Sequence, residues 1–558
     1  MKKLFIIIII FVSTISVVAQ KTDTLVRNIQ IERDYTPEIA PVARPDVPLG
    51  ITEPTIEKSN TTFSQFSKPF DVEKGEFIPI SPEKMTAIER EKAKAGFLRL
   101  GFGPLFTWKA DLWYPVWNTK DGYFDIDFHH DAILGVVKPT KKLINTGLGI
   151  NFNKNFGDNQ FYLGAKYDNE FFNYYGRDTA ITNLDTVPNQ SFNKADFTLG
   201  MRSNKRTDSG WLYDAYLNYH LFAASRNTKI AEHNINAAVR ADIEWDKHHL
   251  DVEFGLQSFF YQNTNSSRWR KNVIVRLLPA YLLSTEKINL RLGVKTFFDF
   301  GKGNDVLDWV AITPDVKLDY FYTTFLNLYV GITGDYQINS LANITSENRY
   351  YALPTATYNN TYTPFDIFGG FKVKITKGLL LDAFLSYKYV NKEVFFDNNW
   401  AITNLYGTGQ LVFNRFFNPF ELNGMLFNAG VRINYDYKEN LNIFAQMKYN
   451  KWNVLALHTP ALEVNAGTNF KIGKGFFGSV NFYAASKMQA LRSDIIDIID
   501  LPAVFDLNLG AGYNIKKNIS LFAQANNILA LSPKLNYQRW YGYNSFGANL
   551  LVGATVLF

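Results

Sequence analysis

Seven histidines and no cysteine limit what the 558 residues offer to metal or thiol chemistry. A disulfide framework, a thiol nucleophile and the cysteine of a lipid anchor are thereby excluded. The densest group of donors is Asp127-Phe128-His129-His130-Asp131, two imidazoles flanked by carboxylates. Neighbouring residues of a strand point to opposite faces, so in extended backbone His129 and His130 do not converge on one ion. His248 and His249 follow Asp246-Lys247 in what reads as a tight turn, which predicts solvent-exposed rings. No Gly-x-Ser-x-Gly elbow occurs, and spacing alone assembles no serine, histidine and acid. No catalytic, cofactor-binding or metal-binding residue is therefore expected.

The remaining chemistry is charge, and it is patterned. Arg240, Asp242 and Glu244 alternate with Val239, Ala241, Ile243 and Trp245; beyond the turn, Asp251 and Glu253 alternate with Leu250, Val252 and Phe254. Arg291 and Lys295 alternate in the same way with Leu290, Leu292 and Val294. Leu462 to Ile472 repeats the division, with Glu463, Asn465, Asn469 and Lys471 on one side. Period-two alternation of this kind is a strand with one wet and one apolar face. Strands of soluble sheets run to about five or six residues. These run to ten or more, the roughly 9–11 tilted residues that cross a bilayer. On that reading the apolar side meets lipid, and Arg240, Asp242, Glu244, Asp251, Glu253, Arg291 and Lys295 line an aqueous lumen.

The elements that would position these charges extend from Gly96 to Phe558. Tight polar turns, such as Lys120-Asp121-Gly122, Gly157-Asp158-Asn159 and Gly473-Lys474-Gly475, join the strands at one end. Longer loops, near 177–191, 337–360, 399–418, 488–500 and 531–543, join them at the other. Short turns opposite long loops is the asymmetry of an outer-membrane barrel. Aromatic residues beside the turns (Phe156, Trp245, Tyr435, Tyr437, Tyr513) would form an interfacial girdle. The 47 Phe, 31 Tyr and 10 Trp make 16% of a chain with slightly negative mean hydropathy, which suits apolar surface built from strands instead of helices. The fold class is all-β: a transmembrane antiparallel barrel of about 22 strands, within a range of 18–22, counted through an ambiguous stretch at 385–420.

The N-terminal part differs. Met1–Ala19 reads as a signal peptide, with Lys2 and Lys3 before an apolar run and Val17-Val18-Ala19 as the cleavage site. Without those two lysines, 56 basic residues face 52 acidic ones, a dispersed +4 that argues against nucleic acid as a partner. Residues 20–95 hold eight of the 20 prolines, which disfavour a sheet and predict an extended segment, periplasmic or lumenal. Phe63, Phe66, Phe70 and Phe77 are anchors for docking on a surface, and Ser81-Pro82 could cap a short helix to about Ala95.

The C-terminal strands, Phe505-Asp506-Leu507-Asn508-Leu509-Gly510, then Leu521 to Leu529 with Asn527-Ile528-Leu529, then Phe546 to Phe558, resemble the end of TonB-dependent outer-membrane receptor barrels. Gly553, Val556 and Phe558 are similar to the Gly-x-x-apolar-x-Phe closing signal read by the barrel-assembly machinery. Asp23-Thr24-Leu25-Val26 looks like the short box that contacts TonB. The Arg33 to Pro37 segment resembles receptor-like barrels of Bacteroidota. The resemblance implies an outer-membrane location, contact with lipid, solute transport, and TonB or another envelope protein as partner. It departs from the family in one respect: about 75 residues precede the barrel, too few for the family's plug domain. The expected function is solute transport gated by residues 20–95; the alternative is a structural or assembly barrel for another envelope complex.

Overall fold

A computed structural model describes residues 96–558, apart from 105, 135–140, 177–187, 208, 227, 247, 264–268, 302–309, 354–358, 377, 405–410, 439, 474 and 493–496. The signal peptide, the proline-rich segment, Asp23 to Val26 and the helix from Ser81 lie outside the described residues.

Alternation becomes architecture through register. Each strand from Phe97–Gly103 onward pairs antiparallel with its neighbour, and 22 strands form one sheet. The sheet closes on itself: Phe97 to Phe102 pair with Leu557 to Val552 of the last strand, Asn549–Leu557. Closure removes both sheet edges and satisfies the backbone internally, the condition for a sheet to cross lipid. Side chains such as Leu148, Val239, Phe254, Leu292, Val330, Leu385, Leu550 and Val552 are exposed around the whole ring. They form the apolar outer face of a transmembrane barrel. Phe156, Trp245, Tyr437 and Tyr513 are exposed beside the short turns.

The turns lie as the sequence reading places them, two more being added at 204–210 and 324–325. The stretch at 399–418 is corrected. Leu379–Asn404 and Leu411–Tyr437, of 26 and 27 residues, are continuous strands in register as far as Asn404↔Leu411, so the loop shrinks to 405–410. Asn391-Lys392 and Asn423 interrupt the alternation at a bulge, where Lys392 adopts φ 57°, and period two is lost across it. The closing strand begins at Asn549, not Phe546: Gly547 turns at φ 84°, and the Phe546 ring packs 5.8 Å from Tyr175 in the loops.

Candidate functional site

The inner face carries a ladder of charges built by strand register. Register sets Asp242 directly opposite Asp251, a repulsive pair by itself. Diagonal cations resolve it. Arg240 grips both oxygens of Asp251 at 2.8 Å, and Arg291 reaches Asp251 at 3.1 Å and Asp315 at 2.6 Å. Arg206, from the turn, pairs with Asp242 at 2.8 Å and with Glu244. Arg276 binds Glu253 at 2.8 Å and continues to the Tyr216 hydroxyl and the Asn236 amide. Lys295 donates to Thr333 Oγ1 and the Gly334 carbonyl, both at 3.0 Å. The seven charges picked out by alternation therefore lie on one face of the sheet. Arg206, Arg276, Asp315 and Tyr216 join them but were missed: Arg206 sits in a turn without periodicity, and Arg276 is a lone charge in the apolar run Val273 to Leu278.

The histidines divide. His129 Nε2 lies 3.5 Å from Asp168 on the inner face, whereas His130 bonds Thr146 at 2.8 Å and packs 4.2 Å from the Trp108 ring on the other. His248 and His249 are not solvent-exposed rings, as the turn suggested. His248 stacks between Trp245 and Tyr281, bonding the Tyr281 hydroxyl, and His249 lies 3.6 Å from Asp242 and 3.8 Å from Glu244. The turn is so short that both rings fall back on the strands flanking it. Among the described residues no three His, Asp or Glu side chains group as a metal site.

Above this wall the loops make a core of their own. Phe172, Phe192 and Phe222 from neighbouring strands, Leu341, Ile344, Tyr350 and Tyr351 from loop 338–360, Phe396 and Phe417 from the long hairpin, and Trp540 and Tyr543 from the last loop are buried together. Asn159–Asn173, which carries Phe172, is the fifth of the 22 strands, and Leu411–Tyr437, which carries Phe417, is the sixteenth, so they stand eleven apart on either way round. Three ring contacts join these opposite walls: Phe172 to Tyr350 at 5.9 Å, Tyr350 to Tyr543 at 3.5 Å, and Tyr543 to Phe417 at 6.1 Å. The backbone spans the same gap. Arg349 pairs with Glu170 at 2.8 Å, while the Ala352 N–H donates to the Phe417 carbonyl at 2.8 Å and the Phe417 N–H to the Tyr350 carbonyl at 3.1 Å. The mouth at the long-loop end is thus crossed by an aromatic cap.

Polar groups set the cap's geometry. Ser340 caps the helix Leu341–Glu347, and the Glu232 carboxyl group accepts from the Leu341 N–H at 2.8 Å. His458, 1% exposed, sits among Phe417 and Trp540; its Nδ1 bonds the Phe396 carbonyl at 3.1 Å, and Nε2 accepts from the Tyr541 N–H at 3.4 Å. Burial drives its pKa down to about 4, so the ring is neutral. Burial raises the Tyr175 and Tyr350 hydroxyl pKa values and lowers that of the Lys141 ammonium, which bonds the Ser545 carbonyl at 2.8 Å. Sequence reasoning found no signal for this cap, because its members are far apart in the chain and lack a shared period.

The architecture defines a class, the large transmembrane β-barrel with long loops at one rim. Solved structures agree. The chain superposes on the siderophore receptor PirA from Acinetobacter baumannii with a TM-score of 0.62, at 9% identity, covering 83% of this chain and 80% of that one. The ferric enterobactin receptor PfeA of Pseudomonas aeruginosa gives 0.60 at 11% identity over 83% and 80%, and the copper transporter OprC gives 0.59 at 11% over 84% and 82%. The similarity at these identities is one of fold, that of the receptor-type barrel the C-terminal strands resemble. No protein-family model matches the sequence, and no curated protein does.

Proposed function

We propose that this protein is an outer-membrane transporter that moves a solute through a barrel closed by its own loops. The observation that carries the proposal is the charged, hydrogen-bonded inner wall beneath a cap made of separable loops. A barrel of 22 strands is too wide for its own side chains to fill and characteristically holds a plugged lumen. A wall of paired charges keeps such a space hydrated and gives a polar solute a path. The fold's likeness to siderophore receptors and to a copper transporter supports the same reading. The cap's aromatic side chains are spent on one another inside the molecule, which is the reason to prefer transport over a barrel that displays them to an envelope partner. Residues 20–95 act as the gate on the periplasmic side, with Asp23 to Val26 as the contact for TonB, and Gly553, Val556 and Phe558 are read during assembly.

Planar-bilayer conductance tests this directly. The mature protein is expected to be nearly silent, removal of residues 20–95 to give current steps, and Tyr350→Ala in the truncated form to enlarge them. Silence of all three forms, with the barrel intact on a denaturing gel, overturns the transport reading.

A further inference from the structure

Below the cap, on the inner face, a cavity of about 280 Å³ lies between the two feet of loop 338–360, bounded by Gln337 on one side and Thr361 on the other. Its feet are pinned: the Asn339 amide donates to the Asn359 carbonyl at 2.7 Å and to Thr361 Oγ1 at 3.0 Å, and the Asn359 amide to Glu421 at 2.9 Å. Lys295, Lys388, Asp335, Asp366 and Glu393 line it, with Asp335 Oδ1 accepting from the Tyr336 N–H at 2.8 Å.

These five charges differ from the ladder beside them. Asp366 and Lys388 are register partners on adjacent strands, yet among the described residues neither they nor Glu393 form an ion pair within 4 Å. The Asp366 Oδ1 atom is buried and has no hydrogen-bond partner among the described residues. Lys295 has committed two of its three protons to Thr333 and Gly334. A buried carboxylate oxygen left without a donor is costly, and a donor brought by a ligand would satisfy it.

We propose that the cavity binds a small zwitterion, an amino acid or dipeptide, its ammonium received by Asp366 and Glu393 and its carboxylate by Lys388 and Lys295. An anion alone would meet the three carboxylates, and a cation alone the two ammonium groups. A zwitterion satisfies both signs at once. Among the described residues no aromatic ring lines the cavity, so they offer no stacking platform for a sugar face. Since Gln337 and Thr361 are the ends of the cap loop, an occupant there touches the base of the loop that crosses the mouth. The proposal rests on the transport reading for its purpose, but its chemistry is tested by binding alone.

Isothermal titration calorimetry of the full-length protein in detergent is the measurement, with alanyl-alanine as the probe. Saturable binding is expected. N-acetyl-alanyl-alanine, which lacks the ammonium, and alanyl-alanine amide, which lacks the carboxylate, should bind about tenfold or more weakly, a difference of roughly 1.4 kcal/mol. Asp366→Asn should weaken the parent dipeptide by the same factor and leave the acetylated one unchanged; Lys388→Gln should do this for the amide. The blocked peptides probe the same contacts on unaltered protein, so a variant that does not fold leaves the test intact. No saturable binding, glucose binding as tightly as the dipeptide, or substitutions that weaken all probes alike overturn the proposal. Conductance without dipeptide binding removes this site and leaves transport standing; binding by a barrel that stays silent with the cap opened does the reverse.

Discussion

His458 shows how one side chain can make a loop assembly sensitive to pH. Its ring nitrogens face a carbonyl and a backbone N–H, a pattern that only the neutral ring with a proton on Nδ1 satisfies. A proton on Nε2 would meet the Tyr541 N–H head-on. The folded pKa, about 4, lies below the unperturbed 6.5. The opened cap therefore binds more protons than the closed one between these values, and closure loses stability as pH falls through that window. With about 2.5 pH units at 1.36 kcal/mol each, the loss approaches roughly 3 kcal/mol at the acid end. Trp540, whose ring lies 5.1 Å from His458, reports it: its fluorescence should shift towards that of a hydrated indole on acidification from pH 6.5 to 4, and His458→Gln should flatten the shift. A flat profile in the unaltered protein would refute the assignment. On the charged face of the sheet the logic is different. Asp251, 4% exposed, is neutralised by Arg240 and Arg291 together, so its burial follows from pairing across three strands and not from its place in any one of them.

At the scale of elements, loop 338–360 does most to distinguish this barrel from an open pore. It holds a helix capped by Ser340 and by Glu232 from the wall, then runs as an extended segment against Phe417 of the long hairpin. With Arg349 paired to Glu170 of the fifth strand and Ala352 bonded to Phe417 of the sixteenth, anchors on opposite walls turn the loop into a strap. Tyr350 is its centre, stacked at 3.5 Å on Tyr543 and in contact with Phe172. Tyr350→Ala removes a buried ring from this chain and should destabilise the cap by about 2–4 kcal/mol, while the sheet, held by backbone pairing, is untouched. Limited proteolysis checks it: cleavage within 338–360 should accelerate at least tenfold with the barrel fragment preserved. Equal cleavage rates would show that the strap does not depend on the ring. The hairpin Leu379–Tyr437 supplies Phe396 and Phe417, against which the strap packs.

For the whole molecule, closure is the decisive event, and the seam shows what it requires. The first and last strands meet at Gly101↔Gly553, and a Cβ on Gly553 would stand 2.0 Å from the Leu100 carbonyl oxygen. That contact is with backbone and has no room to yield. Gly553→Val should therefore prevent the seam from forming, seen as loss of the heat-dependent mobility shift on a denaturing gel, whereas Val556→Ile, on the exposed face, should retain it. A fully closed Gly553→Val barrel would assign the glycine to recognition by the assembly machinery alone. The number of strands was legible beforehand because period-two alternation and turn residues repeat locally, as in Ile235 to Trp245 and its partner Leu250 to Leu256. The strands at 385–420 were not, because a bulge at Lys392 shifts the alternation and the hairpin outruns the membrane. Of the candidate site, the charges on alternating positions could be read from their strands; their partners, the cavity at Asp366 and the cap could not.

What the sequence by itself determined is everything that depends on neighbours in the chain: which face of each strand is wet, where the backbone turns, and that the closing strand is apolar on one side. These follow from a two-residue period and the local chemistry of Gly, Asn and Asp, which need no distant contact. Tertiary structure alone decided which charges pair, because pairing depends on register between strands, and a shift of one residue would turn every charge on the wall to lipid. It also decided that the mouth is crossed. Phe172, Tyr350, Phe417 and Tyr543 become neighbours only when a closed ring brings the fifth and sixteenth strands to face each other.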